Sequence, residues 1–123
     1  MKIIRKFTTA GQDPFATVKW TRRSSKITNP DGTVVFQMDD AEVPETWSQL
    51  ATDIMVSKYF RRAGVPLKDE HGDPLMKDGK PVTGGEKSAK QVIHRLAGCW
   101  RHWGETHGYF DTPNDAQAFY DEL

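Results

Sequence analysis

The chain has almost no cysteine, no surplus of charge of either sign and no long apolar run. Each shortage closes a class of function. Cys99 is the one cysteine among 123 residues, which excludes an internal disulfide framework and fits a reducing cytosol. Lysine plus arginine equals aspartate plus glutamate at 17 each, so the field of the whole molecule is weak. Nothing in that balance demands a polyanionic partner such as DNA. No stretch approaches the roughly 20 apolar residues of a membrane-spanning helix. The opening MKIIRKFTTAGQD lacks the sustained apolar core of a secretory signal. The expectations are no nucleic-acid partner, no membrane contact and a cytoplasmic location.

What is present fits one small ordered domain, residues 1–123, with exposed loops. Hydrophobic residues make up 37% and charged residues 28%, a balance below the globular average in apolar content but short of disorder. The expected class is α+β, mainly helical: an N-terminal β-hairpin followed by three helices. The opening KIIRKFT also has the character of a short strand. The hairpin is expected at about 17–38. Its turn is NPDG, Asn29 to Gly32, with proline, aspartate and glycine in the positions a tight turn favours. In TVVFQM, Val34, Phe36 and Met38 alternate on one face, as in a half-buried strand.

Helices are expected at about 45–63, 86–106 and 113–123. The first has Pro44 at its opening turn, Thr46 and Gln49 as an alternative cap pair, and Gly64 and Pro66 as its stop. Trp47, Leu50, Ala51 and Ile54 share one of its faces, and Val56, Phe60 and Ala63 another. Residues 65–85 are rich in glycine, proline and charge and are expected to form an exposed, mobile loop. Asp69, Glu70, His71 and Asp73 fall in that loop, but they lack the ligand order of a calcium site and read as a solvated turn.

The stretch HRLAGCWRHWGETHGYF, residues 94–110, gathers His94, His102, His107, Cys99, Trp100 and Trp103. Three readings compete: a metal or nucleophile site, a nucleic-acid stacking platform and a helix packing seam. Ala89, Val92, Ile93, Leu96, Cys99, Trp100 and Trp103 are separated by threes and fours, which places them on one arc of a helix. His94, Arg95 and Arg101 lie on the opposite face, with His102 on the flank. Cys99 and His102 supply two ligands where a structural zinc needs four. The tryptophans and the basic residues are on different faces, which disfavours stacking on nucleic acid. The pattern reads as a packing seam, with Cys99 at its buried edge. Cys99→Ser is then expected to cost about 1–3 kcal/mol.

A longer pattern points to a family. VPETWSQLATDIMVSKYFRRAGVP, SAKQVIHRLAGCWRHWGETHGYF and DAQAFYDEL, preceded by KWTRRSSKITNPDGTVVFQMDDAEVP, resemble the N-terminal region of bacterial adenosylcobalamin-dependent (class II) ribonucleotide reductases. The resemblance runs from about Phe15 to Leu123, apart from residues 67–85. It implies a segment that precedes a catalytic α/β barrel. The implied full-length enzyme is an oxidoreductase that replaces the ribose 2′-hydroxyl with hydrogen, supplying deoxyribonucleotides for DNA synthesis. Its adenosylcobalamin generates a thiyl radical, and a cysteine pair supplies electrons. That chemistry needs three thiols, and none of those roles is mapped onto Cys99.

No catalytic, cofactor-binding or metal residue is therefore expected within this chain. Its expected partner is the catalytic barrel, in the same chain or as a split partner. Ribonucleotide and thiol reductant would be met only through the full enzyme. Two alternatives stand beside this reading: a free-standing interaction module that grips a partner with its tryptophan-bearing helix, and a small metal-binding regulator. Near the end, Thr112 caps a helix with Pro113 at its first position and Asp115 three residues on. Ala116, Phe119, Tyr120 and Leu123 form an apolar stripe that stops with the sequence. A fragment or split gene product is the corresponding expectation, with fraying of the last turns and self-association through Phe119 and Leu123.

Overall fold

The NPDG turn closes a hairpin as the sequence predicts. Asn29 N–H donates to Thr33 O at 2.8 Å, Gly32 N–H donates to Asn29 O at 2.9 Å, and Gly32 takes the left-handed φ of 85° that this turn requires. In the computed structural model, which describes residues 1–123, the two arms are β1 (Trp20–Thr28) and β2 (Val34–Pro44), paired antiparallel. The hairpin is longer than the expected 17–38. Alternation of apolar residues stops at Met38, but the ladder continues until Trp20 faces Pro44. Between the Arg23–Ala41 and Ser25–Met38 pairs, Asp39 and Asp40 oppose the single Ser24, a β-bulge that bends the strand and hides its far half from a period-two reading.

Pro44 therefore ends a strand instead of opening a helix. α1 (Gln49–Ile54) starts later, with the Ser48 hydroxyl accepting from Ala51 N–H at 3.1 Å. It runs straight into a π-helical turn, Met55–Tyr59, and stops at Phe60, short of the expected 63. Arg23 staples this region to the hairpin by donating to the carbonyls of Glu45 and Trp47. On the other side Ser25 donates to Asp53 at 2.7 Å.

Residues 65–85 are exposed along most of their length, as expected, but they are also ordered by pairing. β3 (Val65–Pro66) pairs with β6 (Thr83–Gly84), and β4 (Met76–Lys77) with β5 (Lys80–Pro81). Two-residue strands leave no periodicity to detect. α2 (Ala89–Thr106) opens on a capping box of Ser88 and Gln91, and α3 (Pro113–Glu122) on one of Thr112 and Asp115. Helix accounts for 35% of residues and strand for 25%, so the fold is α+β with a hairpin and three helices, without the expected helical dominance.

Residues 3–8 lie along α3 instead of forming a strand. Ile3 N–H donates to Asp115 at 2.9 Å and Arg5 to Asp121 at 2.8 Å. The amides of Lys6, Phe7 and Thr8 all donate to Glu122. The core itself is small: Ala41, Val56, Phe60 and Val92, with Phe36, Met38 and Met55 packed against it. It joins β2, the π turn and the first half of α2. Only 16 of 123 residues are buried, which leaves much apolar surface uncovered.

Candidate functional site

Only the first half of α2 rests on the hairpin. Its start is fixed on β2: Glu42 N–H donates to Lys87 O at 2.8 Å, and Ser88 donates to the Glu42 carboxylate at 2.6 Å. Ala89 and Val92 are buried there. Beyond Leu96 the support passes to α3, which meets the helix on a different arc, with Tyr120 beside His94 and Gly98 and Gln117 beside Arg101. Arg101 donates to Gln117 at 2.7 Å. Gly104 lets Phe110 approach so closely that a Cβ at that position would overlap the ring.

This change of partner leaves Leu96, Cys99, Trp100 and Trp103 on an unsupported arc of about 100°. Leu96 is 41% exposed, Trp100 46% and Trp103 55%. Cys99 is exposed as well. The expected seam is therefore half right: the apolar stripe is continuous, but only its first half is buried. The thiol predicted at the buried edge lies open. Exposed apolar patches of this kind, with large aromatics together, mark surfaces that meet another protein.

The three histidines of the stretch disperse. His94 Nδ1 lies 2.7 Å from the Tyr120 hydroxyl, and the two rings meet edge to face at 5.7 Å. Burial raises the Tyr120 pKa, helped by the negative charges of Asp121 and Asp13, so the phenol stays protonated. His107 sits beside Tyr109, with centroids 5.9 Å apart, and His102 is exposed. Cys99 and the histidines share no focus, and no group of three His, Cys, Asp or Glu converges as a metal centre.

Sequence reasoning missed the polar cluster that fixes α2 from its other side. Glu86 is 2% exposed, accepts from Arg61 N–H at 2.7 Å, and receives Arg95 Nη2 at 3.0 Å and Nε at 3.2 Å. Arg95 also donates to Tyr59 O at 3.0 Å, tying the end of the π turn to α2. Burial pushes the Glu86 carboxyl up. The Arg95 hydrogen bonds, the Arg61 amide and the charges of both arginines outweigh it and hold the group below the usual carboxylate range. Glu86 and Arg95 are nine residues apart, a separation no local helix pattern pairs. Every buried side-chain nitrogen and oxygen in the molecule has a partner.

Along α2 the structure thus combines a buried polar cluster, a supported half-stripe and an open aromatic half-stripe. A family profile described as class II vitamin B12-dependent ribonucleotide reductase matches residues 21–123. A vitamin B12-dependent ribonucleotide reductase of Bradyrhizobium diazoefficiens is 45% identical over 140 aligned positions, covering 100% of this chain and 11% of that protein. The Rhodopirellula baltica protein of the same name is 42% identical, covering 92% of this chain and 9% of its own length. That of Streptomyces coelicolor is 38% identical, covering 100% and 11%. The chain belongs to the class II vitamin B12-dependent ribonucleotide reductase family, of which it represents the N-terminal part. It spans about a tenth of the length of the curated relatives it matches.

Proposed function

We propose that this chain is a non-catalytic docking module of an adenosylcobalamin-dependent ribonucleotide reductase, seated through α2 on the catalytic barrel of that enzyme. The reaction of the whole enzyme, replacement of the ribose 2′-hydroxyl by hydrogen in the cytoplasm, takes place on residues outside this segment. The observation that carries the reading is the open face of Leu96, Trp100 and Trp103 at the end of an otherwise anchored helix. Covering the exposed half of each tryptophan removes about 100 Å² from water, or ~2.5 kcal/mol apiece at about 25 cal/mol per Å². Two such anchors at the centre of a patch are the usual composition of an interface hot spot.

The residues present do not fit adenosylcobalamin. The histidine nearest the largest cleft, His94, is engaged by Tyr120. That cleft, about 710 Å³, is lined by the cations Arg61, Lys68, Lys87 and Arg95 and by Val65, Leu67 and Leu75, and it brings no second histidine to the site. The reading assigns no step of the radical chemistry to this chain. Two experiments test it. Incubated alone with ribonucleotide, adenosylcobalamin and a dithiol, the chain should form no deoxyribonucleotide and leave the cobalamin absorbance unchanged. Turnover or a cobalamin spectral shift overturns the non-catalytic assignment. In a full-length reductase carrying this module, Trp100→Ser with Trp103→Ser should lower the unfolding temperature of the module, while the same changes in the isolated chain leave it nearly unchanged. Equal effects in both contexts overturn the docking assignment.

A further inference from the structure

No residue of the N-terminal arm, residues 1–8, is buried, yet the arm is held along its length. It runs beside α3 from the first turn to the last. Asp111 N–H donates to Met1 O at 3.0 Å and Ile3 N–H to Asp115 at 2.9 Å. The Arg5 guanidinium donates to Asp121 at 2.8 Å. The consecutive amides of Lys6, Phe7 and Thr8 then close on the one carboxylate of Glu122 at 2.9, 3.1 and 2.8 Å. Successive amides around one anion form a nest, which fixes the bend that carries Phe7.

The side chains of the arm are sorted in an unusual way. Ile3, Arg5 and Thr8 are half-buried, while Lys2, Ile4, Lys6 and Phe7 are exposed. Ile4 is 74% exposed and Phe7 87%, and no other large apolar side chain is as open as Phe7. None of the five ion pairs of the molecule involves Lys2 or Lys6. Polar bonds at a surface largely replace bonds to water and contribute little net stability, whereas ordering a chain costs conformational entropy. An arm that bonds through its polar groups and leaves its largest apolar groups open has its apolar burial still to come.

We propose that Ile4 and Phe7 are a second docking anchor, received by an apolar depression rimmed with carboxylates in the polypeptide that follows this segment in the full-length reductase. The inference rests on the reading of the chain as a module of that enzyme. Continuity selects the occupant. Glu122, which pins the bend, is followed by Leu123, itself 56% exposed. In the curated relatives this segment is the N-terminal part, about a tenth of the length, so their chain runs on from a point one residue beyond the nest. Charge selects the chemistry. Lys2 and Lys6 flank Ile4 in sequence and Lys6 adjoins Phe7, so the matching surface is apolar at its centre and negative at its rim. A second copy of the arm would bring the same two lysines against this face, which disfavours symmetric pairing. A phenylalanine on a fixed bend also loses little freedom when it docks.

Photo-crosslinking in a full-length reductase that carries this segment tests the occupant. With Phe7→p-benzoylphenylalanine, irradiation should link residue 7 to a peptide beyond the position of Leu123 in the same polypeptide. Mixing isotope-labelled and unlabelled enzyme separates that product from a link to a second copy. Lys2→Glu with Lys6→Glu should reduce the yield severalfold. Ile4→Ser with Phe7→Ser should lower the unfolding temperature of the module in the full-length enzyme and leave that of the isolated chain nearly unchanged. The proposal is overturned by a crosslink only to a second copy or only within residues 1–123, by no crosslink at all, or by equal effects of the double serine variant in the two contexts. If any of these is found while Trp100→Ser with Trp103→Ser still acts only in the full-length enzyme, the arm anchor alone falls and the α2 docking face stands.

Discussion

Glu86 is the residue on which the orientation of α2 depends, because its carboxylate is shared between the segment after the π turn and the second turn of the helix. Removing one partner of a buried pair leaves the other charged and unsatisfied, which costs more than the pair contributes. Glu86→Ala should lower stability by about 3 kcal/mol in urea unfolding, and Glu86→Gln by less. The folded pKa is held below its ordinary value. The contribution is therefore fully present above the usual carboxylate range and is lost as pH falls through the depressed value. Stability measured from pH 6 down to pH 3 should fall in the wild type and fall less steeply in Glu86→Gln. Cys99 gives the opposite lesson. Its helical spacing was legible in the sequence, but the spacing says which face a residue shares and not how far the supporting partner extends. Since the thiol is exposed, Cys99→Ser should change stability by no more than about 0.5 kcal/mol, smaller than packing at a buried edge would give.

At the level of elements, signals confined to a few neighbouring residues were readable and long-range pairing was not. The NPDG turn and the Thr112–Asp115 cap stand where the sequence puts them. The extension of β2 to Pro44 was hidden by the bulge and by the acidic residues on its outer face. The π turn that shortens the first helix has no sequence period of its own. The N-terminal arm was hidden for another reason: what holds it is carboxylates of α3 more than 100 residues away. The Thr8 hydroxyl and the Lys6 amide, against a smaller opposing effect of burial, lower the Glu122 pKa to about 2. The clamp is complete above the ordinary range near 4.5 and is released as pH falls toward about 2. Hydrogen exchange at the Lys6, Phe7 and Thr8 amides, corrected for intrinsic rates, should show constant protection above pH 5 and progressive loss between pH 4 and pH 2. Glu122→Gln should weaken protection at neutral pH. Where α2 meets α3, Gly104→Ala forces a methyl into the Phe110 ring. It should cost about 1–3 kcal/mol as overpacking, measurable by thermal unfolding.

For the whole molecule the decisive fact is the mismatch between a small core and a long apolar stripe. The core cluster is four residues, while Leu96, Trp100 and Trp103 stay open on α2. The sequence made the stripe and the family resemblance visible, and left hidden that the second half of the stripe has no partner within these residues. The arrangement makes sense if the catalytic barrel supplies that partner. Cys99 lies on the same open arc and serves as a built-in reporter. The most direct test is the rate at which iodoacetamide alkylates Cys99, followed by mass spectrometry of its peptide, in this chain alone and in a full-length reductase that contains it. The docking account predicts rapid labelling in the isolated chain and labelling slowed at least tenfold in the full enzyme. Equal rates in the two would contradict it.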